Sequence, residues 1–89
     1  MVLHAQQIRA ARSLLGWSQA DLAIKAGVAH ITVRRFEANE GPVSGKIESL
    51  IRIQAALENA GVVFLSPDEQ LDIGVRLKKK SAKNRATNK

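Results

Sequence analysis

The chain has 89 residues, with fourteen Lys and Arg against eight Asp and Glu, giving a formal net charge of +6. That is room for one small domain, and a hydrophobic fraction of 45% is enough to build its core. The absence of Cys excludes a disulfide framework and a thiolate metal site, and His4 and His30 stand too far apart for a local ligand cluster, so no metal or other cofactor is expected. No apolar run approaches the ~18 residues of a membrane span, and Met1 to His4 lack the charged and apolar regions of a signal peptide. The composition therefore predicts a soluble, basic, cytoplasmic protein with no membrane partner.

From about Ala5 to Leu15 the chain reads as a helix of good formers, with Ile8, Ala11 and Leu15 as a buried stripe and Gly16 as its stop. Ser18 is placed to cap a second helix, with Asp21 three residues on as a short-armed capping box. That helix turns Leu22 and Ala23 inward and ends at Gly27. A third helix covers about Ala29 to Ala38, followed by a loop over Asn39 to Val43. Ser44 is a candidate cap for a fourth helix running to about Ala60, with Ile47, Leu50, Ile51 and Leu57 as its apolar stripe. Val62 to Leu65 and Ile73 to Leu77 read as short strands joined by polar turn residues, an antiparallel hairpin. A lone hairpin is marginal, so it has to pack on the helices or on a partner chain.

Charge is unevenly placed along these elements. Residues 1–75 hold seven basic and all eight acidic residues, net −1, whereas residues 76–89 hold seven basic residues and no acid. The stretch 78–89 has no large apolar residue to bury and is expected to be a disordered tail. It is either a solubilising end or an arm that touches phosphates or an acidic partner.

Helix, tight turn and helix is the arrangement that lays one helix across a DNA backbone and sets the next in the major groove. Gln19-Ala20-Asp21-Leu22-Ala23, then Ala26-Gly27-Val28, then Thr32-Val33 and Phe36-Glu37, resemble the helix-turn-helix of the Cro/C1-type (Xre-like) family. The resemblance extends over residues 5–60. It implies a mainly α, four-helix, lambda-repressor-like domain over residues 1–61. The hairpin at 62–77 and the tail at 78–89 lie beyond it. In that family an Arg in helix one pairs with the Glu closing helix three, which implies an Arg12–Glu37 ion pair. The resemblance also implies that Gln19 contacts phosphate or the first base. Where the family has Ser or Thr to cap the third helix, this chain has Ala29, which offers no side-chain acceptor.

The helical period agrees without reference to any family. With Val33 at the centre of the inner face and 100° per residue, Phe36 and Ala29 fall within about 60° and Glu37 within about 40°. Ile31, Arg34, Arg35 and Ala38 then face outward, with His30 at the flank. Arg side chains on such a face suit phosphate and guanine, and Ile31 suits either a thymine methyl or a protein partner. Trp17 and Phe36 read as core rather than as stacking platforms. Gly41 to Lys46 is one residue short of a phosphate loop and has Ile47 where a hydroxyl is needed. With no paired carboxylates and no Ser/His/acid set, the chain is not expected to be an enzyme.

The expected function is a sequence-specific regulator of transcription, such as a repressor, that binds double-stranded DNA as a homodimer on a palindromic operator. Ser18, Gln19, His30, Ile31, Thr32, Arg34 and Arg35 are the candidate DNA-binding residues. Val62, Val63, Phe64 and Leu65 form the candidate dimer contact. A second reading uses the same fold to bind a protein partner, as an antiactivator or an antitoxin-like protein would. A third is a nucleoid protein that binds through its tail.

Overall fold

In the computed structural model, which describes residues 3–38 and 40–79, four helices precede one hairpin. They are α1 (Ala5–Leu15), α2 (Gln19–Ala26), α3 (His30–Glu37) and α4 (Ile47–Asn59), followed by β1 (Val62–Leu65) and β2 (Gly74–Leu77). The chain is thus mainly helical, with a small two-stranded antiparallel sheet. The expected tail falls outside the described residues from position 80 onward.

Local chemistry sets the helix ends. Ser18 Oγ accepts from Asp21 N at 2.9 Å while Asp21 Oδ2 accepts from Ser18 N at 2.8 Å, so the capping box at the start of α2 is formed. Gly27 closes α2 with φ 70°, the left-handed conformation that costs a residue without Cβ nothing. The chain can then turn into α3 within two residues. Ala29 caps α3 with no side-chain hydrogen bond and is exposed. Its assignment to the inner face fails because it sits outside the helical turn to which the 100° period applies.

The start of α4 differs from the sequence expectation. Lys46, not Ser44, occupies the cap position, and the helix runs from Ile47 to Asn59. Gly45, at φ 143°, interrupts the chain before a helix can begin at Ser44. A Cβ on Gly45 would stand 3.0 Å from Phe36 Cε1, so the loop lies against the α3 aromatic ring. The stripe of α4 is also rotated from the expected one: Ile53 and Leu57 are fully buried and Leu50 is half-buried, whereas Ile47 and Ile51 are 67% and 60% exposed. Leu50, Ile53 and Leu57 lie within about 60° on the wheel, and Ile51 falls well outside that arc.

The core joins Ile8 and Ala11 of α1, Leu22, Ala23 and Ala26 of α2, Val33 and Phe36 of α3, and Ile53 and Leu57 of α4. Leu15 and Trp17 pack against it, and Lys25 Nζ lies 5.7 Å from the centre of the Trp17 ring. Ahead of α1, Leu3 enters the same core, and its carbonyl accepts from Val43 N at 3.0 Å. Ala5 N donates to Gly41 O at 2.9 Å and Gly41 N to Gln6 Oε1 at 2.8 Å. The chain before α1 is therefore strapped to the α3–α4 loop.

The hairpin packs within its own chain. Val62 and Phe64 belong to the core at 2% and 9% exposure, and Val75 packs beside them. Of the four residues expected at a dimer contact, Val63 and Leu65 alone are exposed, because alternate residues of a strand face opposite ways. β2 begins at Gly74 and not at Ile73, whose N–H donates to Asp72 Oδ1 at 2.7 Å. Gln7, 2% exposed, fastens the hairpin: its Nε2 donates to Leu65 O at 3.1 Å and Gly74 O at 3.0 Å. Its Oε1 accepts from His4 N at 2.9 Å.

Candidate nucleic-acid interface

The candidate surface is built on α3, whose orientation follows from what its inner face buries. Val33, Phe36 and Glu37 are buried, Thr32 is half-buried, and His30, Ile31, Arg34 and Arg35 are exposed. With two guanidinium groups and 43% exposure at Ile31, the outer face combines cations with an apolar contact point.

A charged buried group holds this helix in place. Arg12 Nε meets Glu37 Oε2 at 2.7 Å and its second terminal nitrogen meets Oε1 at 2.8 Å, a two-bond pair. The Glu37 side chain is 2% exposed and that of Arg12 18%. Arg12 also donates to Trp17 O at 2.9 Å, and Gln19 Nε2 donates to Glu37 Oε1 at 3.1 Å. Arg9 donates to the Glu37 carbonyl at 2.8 Å. Every charge at this junction thus has a partner, which is the condition under which a buried pair is tolerated. The hydrogen bond that Arg12 donates to Glu37 raises the Arg12 pKa above its usual value, with burial opposing it.

Two shallow depressions flank the outer face of α3. One, of about 380 Å³, is bordered by Arg9, Arg12, Gln19, Ile31, Arg34 and Arg35, with Glu37 and Ala38. The other, of about 350 Å³, is bordered by Thr32, Arg35, Ser44, Gly45, Lys46 and Ser49 at the start of α4. Arg35 borders both, so it forms the ridge between them. Arg9, Ser44, Lys46 and Ser49 were not among the candidate DNA-binding residues read from the sequence. Arg9 lies one turn before Arg12 on α1, a spacing that could have marked it, whereas the serines and Lys46 reach the site through the turn at Gly45.

The other candidates are placed less directly. Ser18 is exposed at the start of α2 with its oxygen engaged by Asp21 N. Gln19 directs its amide nitrogen to Glu37 while bordering the larger depression. Among the described residues no group of three or more His, Asp or Glu could hold a metal ion, and no helix is long and apolar enough to cross a membrane. In comparisons with known proteins, no family model matches the chain and no curated protein is significantly similar to it.

Proposed function

We propose that the chain is a helix-turn-helix regulator of transcription, lambda-repressor-like in fold, that reads double-stranded DNA as a homodimer. One observation carries this reading: an exposed helix face bearing Arg34 and Arg35, flanked by two depressions whose other cations are Arg9, Lys46 and the Glu37-paired Arg12. On this reading α3 enters the major groove. Arg34 and Arg35 reach base edges or phosphates, Ile31 meets apolar base atoms, and Gln19, Thr32 and Lys46 border the backbone. The ion pair between Arg12 and Glu37 keeps the reading helix at a fixed angle to α1.

Selection of bound duplexes from random DNA, followed by mobility shifts on the recovered site, tests the proposal. Arg34→Ala or Arg35→Ala is expected to weaken binding by about 1–3 kcal/mol, relaxing specificity where the residue contacts a base and lowering the salt dependence where it contacts phosphate. Unchanged affinity in both variants would remove the assignment of the reading face.

A second reading, binding of a protein partner, draws support from exposed Ile31 and from a body of residues 1–75 that nets −1. No shift at low salt, together with a stable protein complex in a pull-down, would favour it.

A further inference from the structure

Two short helices that meet at a turn can splay at their far ends. The helices α2 and α3 are eight residues each, or about 12 Å. The turn at Gly27 joins the end of α2 to the start of α3. Gln19 stands at the opposite end of α2 and Glu37 at the opposite end of α3. Gln19 Nε2 donates to Glu37 Oε1 at 3.1 Å, and among the described residues no other side-chain hydrogen bond runs between these two helices. The rest of the junction is apolar core, to which α2 gives Leu22, Ala23 and Ala26 and α3 gives Val33 and Phe36. Apolar burial holds surfaces together without fixing a direction, whereas a hydrogen bond weakens steeply once it bends.

We propose that Gln19 is a positioning residue, a tie that sets the angle between α2 and α3 through Glu37. The far end of the tie is firm: Arg12 bonds both carboxylate oxygens of Glu37, whose side chain is 2% exposed. A carboxylate held in this way only accepts, so the Gln19 amide has to turn an N–H toward it. The family resemblance sends this amide to phosphate or the first base; in this chain an N–H is already engaged inside the protein. Gln19 thus lies beside the DNA backbone without bonding to it. The angle matters because the proposed docking needs α2 across the backbone and α3 in the groove at once. Opening it moves Arg34 and Arg35 away from the position that the start of α2 would otherwise fix.

The effect on reading rests on the proposed function, but the tie itself is measured without DNA. Gln19→Leu keeps the bulk and removes the donor. It strands no charge, because Arg12 still holds Glu37, and is expected to leave far-UV circular dichroism unchanged. Backbone residual dipolar couplings of the DNA-free full chain, fitted to each helix separately, are expected to show a changed angle between α2 and α3. The angle between α1 and α3 is expected to stay as it is. Gln19→Glu, which sets a second carboxylate against Glu37, is expected to open the same angle further. In mobility shifts Gln19→Leu is expected to weaken the selected duplex about fivefold and duplexes mismatched at the positions read by α3 less, so that discrimination falls. Wild-type couplings in both variants would overturn the tie. A loss equal on matched and mismatched duplexes, the mark of a phosphate contact, would overturn its role in reading, and so would no loss at all. A wild-type chain that shifts no duplex would remove the groove-reading proposal and leave the couplings to decide the tie.

Discussion

The two ends of α1 fasten two different parts of the molecule, and they do so with different chemistry. At the first turn, neutral Gln7 holds the hairpin through two backbone carbonyls. Toward the last turn, charged Arg12 holds α3 through the carboxylate of Glu37. Both junctions exclude water, with Gln7 at 2% and Glu37 at 4% exposure. The consequence of losing a partner is unequal, because a stranded carbonyl costs the desolvation of a dipole and a stranded carboxylate that of a full charge. The stronger constraint is thus on the helix that carries the candidate reading residues, and the weaker one on the hairpin.

The sharpest way to break this comparison is Arg12→Ala, which leaves Glu37 buried and unpaired. Its expected cost is about 3–5 kcal/mol in urea or thermal unfolding. Glu37→Ala is expected to cost less, since Arg12 keeps its bond to Trp17 O and is partly exposed. Near-wild-type stability of Arg12→Ala would show that the two ends of α1 are equivalent. Next, Gln7→Ala is expected to cost about 1–3 kcal/mol and to raise amide exchange across β1 and β2 more than in α3. Equal loss of protection in both would erase the distinction.

Ala29→Ser reverses the sign, supplying α3 with the acceptor it lacks, and is expected to add about 1 kcal/mol of stability. The smallest effect belongs to the exposed capping box. The backbone N–H of Ser18, and then its hydroxyl, hold the Asp21 carboxyl below the usual range. A folded pKa below the unfolded one means the ionised carboxylate stabilises the fold above the unfolded value, and that contribution is lost as pH falls through the folded value. Asp21→Asn is expected to lower stability slightly at neutral and alkaline pH, leave the acid extreme unaffected, and so flatten the acid limb of a stability–pH profile.

How legible these features are depends on whether a short stretch of chain determines them. The ends of α1 and α2 follow from Gly16, Ser18, Asp21 and Gly27, all local signals. The outward face of α3 follows from the helical period around Val33. The phase of α4 does not, because Ile47, Ile51 and Ile53 are chemically alike and only packing against α2 decides which of them is buried. Gln7 is hidden for a related reason: a glutamine in a helix is an ordinary helix former, and its partners lie 58 and 67 residues away. Likewise Lys46 and Ser49 join the candidate site only because Gly45 lies against Phe36, a contact that no spacing rule encodes.

The strap ahead of α1 has a consequence for how the molecule opens. Its hydrogen bonds, from Val43 N to Leu3 O and from Ala5 N to Gly41 O, close a loop of chain that contains α1, α2 and α3 and leaves α4 and the hairpin outside. Fraying that starts at β2 can therefore travel back through β1 and the end of α4 without unthreading α3, which lies inside that loop and is held by Arg12. Local opening of the hairpin is thus separated by topology from the candidate reading helix, which keeps its shape as the hairpin frays.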